Sequence, residues 1–138
     1  MTFEQWKNLQ GEENPIHPEE RIIQTNSGVL VRSKSEKMIA DQLQEKEEPF
    51  FYEKKLVLDD QTLYPDFTLF SRNKQREIYW EHFGLMDHPI YCNHAVRKLM
   101  IYASHQILIG HRLIVTMETK DHPLDMNMVR SWIETMLP

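Results

Sequence analysis

Two apolar, strand-like runs, LYPDFTLF over residues 63–70 and REIYWEHFG over residues 76–84, flank the polar stretch SRNKQ, and each run carries an acid among aromatic residues. Runs of this length around a polar turn predict a β-hairpin. With the turn centred between Asn73 and Lys74, residues whose numbers sum to 147 face each other, and Asp66 with Glu81 is such a pair. Opposed Cβ atoms in an antiparallel ladder lie about 4.5–5.5 Å apart, where two like charges destabilise the pair. A divalent cation held between the two carboxylates offsets that repulsion. The competing reading is an exposed sheet face on which Asp66, Glu77 and Glu81 point to water.

The rest of the chain supplies partners for such a hairpin. Ser33 followed by Glu36 has the capping-box form, which predicts a helix over residues 33–46 with Ile39, Ala40 and Leu43 on its inward stripe. FFYEKKLVL, residues 50–58, reads as a first strand ahead of the hairpin. Pro89 suits the first turn of a helix running to about residue 105. LIVTMET, residues 113–119, is rich in β-branched residues and reads as a buried strand. Asp125 can cap a last helix bearing Met128, Val129, Trp132, Ile133 and Met136. The order is helix, three strands, helix, strand, helix, which implies an α/β or α+β domain with a mixed sheet flanked by helices.

Glu36 carries two readings. As the third residue of a capping box it is accounted for by backbone bonding. It also shares the i, i+3, i+4, i+7 stripe with Ile39, Ala40 and Leu43, which aims it at the sheet and toward the acids.

The chain has 138 residues, enough for one core, and no apolar stretch approaches the length of a membrane span. A soluble domain with no membrane partner is expected. Residues 1–30 read as a polar lead-in arm, broken by Pro15 and Pro18, and residues 31–138 as the domain proper. Nothing in residues 1–25 reads as a core element, and the whole can be one domain of a longer protein. The net charge of −5 is concentrated in residues 1–20, which hold five acids and one base, so the body is nearly neutral. That balance argues against tight unspecific DNA binding by a basic face alone, and leaves open a site where bound metal supplies the positive charge. A lone Cys92 fits a reducing cytoplasm and reads as packing. The histidines lack the paired spacing of structural zinc sites and read as surface or site-rim residues; the methionines read as core filler.

The strings RSKSE (32–36), YPDF (64–67) and YWEHFG (79–84), in this element order, resemble the PD-(D/E)XK nuclease superfamily over about residues 30–137, and in particular a bacterial group within it in which the three strings occur together. The resemblance implies a restriction-endonuclease-like αβββαβα core and Mg²⁺- or Mn²⁺-dependent hydrolysis of phosphodiester bonds in DNA. It further implies that Asp66 and Glu81 ligate the metal, helped by the main-chain carbonyl of His82 and by Glu36 directly or through water. One position departs from the pattern: the lysine two residues after the second acid is replaced by Phe83. Lys98 is the first candidate to replace it, because Tyr91, Ala95, Lys98 and Tyr102 form one helical stripe that turns Lys98 inward, where burial is expected to lower its pKa. Lys54 and His82 are the alternatives. The other functional reading is a nuclease fold that has lost catalysis and serves as a nucleic-acid or protein interaction module.

Overall fold

The computed structural model describes residues 1–138. It opens with helix α1 (Phe3–Lys7), started by a capping box between Thr2 and Gln5. A 3₁₀ turn (Pro18–Glu20) and the hairpin of β1 (Ile23–Gln24) and β2 (Leu30–Val31) follow. Gly28, at φ 94°, supplies the left-handed backbone that this hairpin needs. Helix α2 (Lys34–Glu45) is capped by the Ser33 hydroxyl, which accepts the Glu36 N–H. The reciprocal half of the expected box is displaced by one residue: Glu36 Oε1 receives the Arg32 N–H (3.1 Å).

Next come β3 (Phe51–Tyr52), the hairpin of β4 (Leu56–Leu58) and β5 (Gln61–Leu63), and the long pair β6 (Phe67–Ser71) and β7 (Arg76–Phe83). Helix α3 (Pro89–Ser104), strand β8 (Leu113–Met117) and helix α4 (Met126–Met136) complete the chain. The central sheet has the order β3-β6-β7-β8, antiparallel until the last pair, β7 and β8, which is parallel and joined by the α3 crossover.

Two expected strands are each broken. Residues 50–58 do not form one strand because Glu53 adopts φ 51°, a left-handed conformation that ends β3. Residues 63–70 do not form one strand because Pro65 has no N–H to give a ladder and restrains Tyr64 before it. The chain between these breaks folds back on itself as the separate β4–β5 hairpin. The main hairpin has the expected register, with Phe67 opposite Trp80 and Ser71 opposite Arg76.

Side-chain alternation along β7 divides the core. Ile78 and Trp80 pack with Phe67, Leu69 and Ile114 beneath Ile39 and Leu43 of α2 and Val129 and Ile133 of α4. Tyr79 and Phe83 face the other way, with Leu113 and Val115, beneath Ala95 and Tyr102 of α3. By the same period of two, Glu81 points to the α3 side.

The lead-in holds a core residue that its polar composition hides. Trp6 is 1% exposed, lies against Phe70 (ring centroids 5.4 Å apart) and meets Phe51 edge-on (5.0 Å). Its indole N–H donates to Glu77 Oε2 (3.0 Å). A five-residue helix thus plugs sheet surface near Phe70 with one large side chain. The methionines fill the core only in part: Met136 is buried and Met86 and Met126 pack against the core, whereas Met38, Met100, Met117 and Met128 are exposed. No helix is long and apolar enough to cross a membrane.

Candidate metal centre

Asp66 immediately precedes β6, after the Pro65 break, and extending the β6–β7 register by one step sets it opposite Glu81. Both line a cavity of about 220 Å³ together with His82, Phe83, Tyr91, His94, Ala95 and Lys98. The exposed-face reading fails, since Glu81 is 1% exposed. Lys98 does turn inward: its Nζ lies 2.6 Å from Glu81 Oε2. Tyr102, one turn further along α3, donates its hydroxyl to the same oxygen at 2.6 Å. Asp66 Oδ2 accepts the His82 main-chain N–H (2.7 Å).

Glu36 approaches from the start of α2. Its Oε1 accepts from the Tyr52 hydroxyl (3.0 Å), the Arg32 N–H and the Ser33 hydroxyl (3.3 Å), so the capping role and the inward role coexist. Carboxylate oxygens of Glu36, Glu53 and Asp66 lie within 4.8 Å of one another. Each of Glu36, Asp66 and Glu81 therefore commits one oxygen to protein donors. Their second oxygens are not sealed in, because the only buried side-chain polar atoms lacking a partner are the Nε of Arg76 and Arg112.

The charges are unevenly neutralised. Burial, then the Glu81 and Glu36 carboxylates, push the Asp66 carboxyl well above its usual range against the opposing pull of Lys98 and the His82 N–H. Burial raises Glu36 as well, with Glu53 adding to the effect and Tyr52 opposing it. For Lys98 the expected direction is wrong. Burial pulls it down, but the attraction of Glu81 and Asp66 outweighs burial and holds it above the usual lysine value. Lys98 is a cation at neutral pH.

Glu53 is the acid that the sequence reading missed. It is buried, and Arg32 grips both of its oxygens (2.8 and 3.1 Å) while Arg21 Nε reaches Oε1 at 2.9 Å. The same guanidinium groups bind the main-chain carbonyls of Asn14, Ile16 and His17, tying the lead-in to the edge of the site. With its charge already offset, Glu53 is the closed member of the cluster it forms with Glu36 and Asp66, which are its open acids; Glu81 joins Asp66 in the cavity, which Glu36 does not line. A signal for Glu53 was present: it follows Phe50, Phe51 and Tyr52, just as Glu81 follows Tyr79 and Trp80.

His82 lines the cavity, but its ring is not on the surface. Its ring is buried between Thr116 Oγ1 (2.7 Å from Nδ1) and Glu118 Oε1 (2.7 Å from Nε2). Burial lowers its pKa more than Glu118 raises it, so the ring is neutral and donates from Nε2 to the carboxylate. Trp80 also donates to Thr116, and the Ser35 hydroxyl to Glu118 Oε1. This chain of bonds joins the start of α2, next to Glu36, to the strand that bears Glu81. Lys54 lies 3.7 Å from Glu77, engaged outside the centre.

The open ligands are all carboxylate oxygens, a donor set that suits a hard divalent cation such as Mg²⁺ or Mn²⁺ rather than a thiolate- or imidazole-bound one. Three acids and one lysine also leave negative charge that a cation would offset, which the raised carboxyls of Asp66 and Glu36 express. No family model, curated protein or solved structure matches this chain. The chemistry of the centre rests on its own residues.

Proposed function

We propose that this chain is a divalent-metal-dependent nuclease acting on DNA, built on a restriction-endonuclease-like core. The succession α2, β3, β6, β7, α3, β8, α4 supports that core, with α1 and the two small hairpins as additions. The observation that carries the reading is the 2.6 Å contact of Lys98 with Glu81 in the cavity shared with Asp66. It puts acid, acid and lysine together although Phe83 stands where the family pattern has its lysine. Phe83 is spent on packing against α3, and α3 returns the amine.

Asp66 and Glu81 would hold Mg²⁺ or Mn²⁺, with Glu36 directly or through water and the His82 carbonyl beside them. Such a cation supplies a bound water of lowered pKa and offsets charge on the scissile phosphate. With such a cation in place, the protonated Lys98 would orient that water and offset developing negative charge, as a donor rather than as a base. Tyr102 fixes the Glu81 carboxylate, and His82 fixes Asp66 through its main-chain N–H.

Calorimetric titration with Mn²⁺, alongside cleavage of plasmid and oligonucleotide DNA in Mg²⁺, tests the proposal. Binding and cleavage should both vanish in Asp66→Ala. Absence of Mn²⁺ binding in the natural protein would leave the catalytically degenerate interaction module as the better reading. Binding without cleavage of any DNA form would remove the nuclease activity and keep the metal.

A further inference from the structure

At the end of the hairpin away from the acids, two loops bring four bases together. Lys74 and Arg76 come from the β6–β7 turn and the start of β7, His111 and Arg112 from the loop entering β8, and Arg76 Nη2 donates to the His111 carbonyl (3.3 Å). Arg112 lies over the Tyr79 ring, its guanidinium carbon 5.8 Å from the centroid. None of Lys74, Arg76 and Arg112 has a carboxylate within ion-pair distance. The nearby Glu77 is taken by Trp6, Tyr79 and Lys54. Arg72, also in the turn, is turned away onto Glu48 and the Phe3 ring.

The two guanidinium groups are also the only side chains in the protein with a buried polar atom, Nε in each, that lacks a hydrogen-bond partner. Withdrawing part of a cation from water without a counter-charge is costly, and here it happens twice at one place. The mutual repulsion reaches His111, which Arg76 above all, then burial, Lys74 and Arg112 hold below its usual pKa. A solvated turn would leave each base in water and apart from the others. An anion at the solvent-facing nitrogens of this cluster would offset that repulsion, while the two Nε atoms stay covered.

We infer that Lys74, Arg76, His111 and Arg112 form a phosphate-binding subsite that takes a backbone phosphate of the DNA held at the metal centre; the source of the phosphate rests on the nuclease reading. The subsite connects with the face of the sheet that carries Glu81: Arg112 covers Tyr79, Tyr79 stacks on Tyr102 (6.3 Å), and Tyr102 donates to Glu81. Arg76 and Glu81 are five residues apart on β7, about 17 Å at about 3.4 Å per residue; that odd spacing starts their side chains on opposite faces, and Arg112, over Tyr79, is the base on the Glu81 face. A duplex must therefore run on past the scissile phosphate by at least that length for its backbone to reach the subsite.

The test uses the full chain, free of divalent cation for the phosphate titration and with Ca²⁺ in place of Mg²⁺ for the DNA measurements, to prevent turnover. The Nε–H resonances of Arg76 and Arg112 are followed by NMR during titration with inorganic phosphate, and DNA affinity is measured against salt for duplexes of increasing length. The resonances should shift with phosphate. Arg76→Gln should lower the slope of log affinity against log salt by about 1, the loss of one phosphate contact, only for duplexes long enough to span the two sites. Lys74→Gln, at an exposed position in the turn, should lower it in the same sense. Phosphate shifts with unchanged slopes in both variants overturn the subsite as a DNA contact, and unchanged resonances with unchanged slopes overturn it altogether. A natural protein that binds no duplex overturns it too. Lowered slopes in a protein that binds no Mn²⁺ and cleaves no DNA would uphold the subsite while ending the nuclease reading.

Discussion

Lys98 and Glu81 meet at 2.6 Å between Nζ and Oε2, and Tyr102 donates to that same oxygen, so α3 grips one carboxylate of the centre with a cation and a hydroxyl one helical turn apart. The pairing explains why a lysine crowded by apolar and aromatic neighbours keeps its proton. It also makes Lys98 separable from metal binding, because it touches one oxygen of one ligand.

Lys98→Met should therefore lower metal-dependent cleavage by about 10²–10³-fold, the loss typical of removing one preorganised donor. Mn²⁺ affinity should stay the same or rise, since a competing cation has left the carboxylates. Lys98→Arg keeps the charge in a different shape and should recover part of the rate. Rate constants and calorimetry on the same preparations decide the matter; natural-rate cleavage by Lys98→Met would remove the residue from the chemistry.

Asp66 gives the metal-free protein a characteristic pH response. Its carboxyl is raised by burial and by Glu81 and Glu36, so the native state holds the proton more tightly than the unfolded chain does. That contribution to stability is fully present below the unfolded carboxyl value of about 3.9 and is lost as pH rises through the raised native value, at about 1.4 kcal/mol per unit of displacement. Asp66→Asn removes the loss. In chelator the variant should melt above the natural protein at neutral pH, with the gap closing in acid; added Mn²⁺ should raise the melting point of the natural protein alone. Equal melting points at neutral pH would mean that the acids are not in conflict.

Local pattern explains what was legible. The Asp66–Glu81 opposition follows from a hairpin whose polar turn sets its register, and the inward lysine from a stripe of one face in α3; both are short-range periodicities. The breaks at Glu53 and Pro65 interrupt runs whose composition remains strand-like throughout, so the β4–β5 hairpin left no mark in hydropathy. The Arg21, Arg32 and Glu53 clamp joins three distant parts of the chain, and no local spacing announces it. Lys98 was placed correctly but its charge was not, because a stripe tells which way a side chain points and not which acids will meet it. Trp6 was passed over for its polar surroundings, yet one large side chain on a capped turn is enough to enter a core.

Trp6→Ala should cost about 3–5 kcal/mol, as large-to-small substitutions of buried aromatics do. The loss would include the stacking on Phe70 and the bond to Glu77. Trp6→Phe should cost markedly less, retaining the ring contacts. Urea unfolding of both variants measures this, and a loss under about 1 kcal/mol for Trp6→Ala would show that α1 is a dispensable cover.

Glu53 and Glu36 test which acids face the cation. Both have a carboxylate oxygen within 4.8 Å of Asp66, so proximity alone makes each a ligand candidate. Their partners differ: Glu36 accepts from uncharged hydroxyls and an amide, whereas Glu53 is held by two guanidinium groups. A cation that drew on Glu53 would have to compete with both arginines, which repel it. Glu36→Gln should therefore weaken Mn²⁺ binding by about tenfold, or about 1.4 kcal/mol, with a small effect on folding. Glu53→Gln should leave Mn²⁺ affinity nearly unchanged yet cost about 3–5 kcal/mol of stability, because it strips the counter-charge from Arg21 and Arg32 where they are partly buried. The reverse pattern in calorimetry and urea unfolding would make Glu53 the third ligand, and would require the lead-in to loosen its hold on Arg21 and Arg32 whenever metal binds.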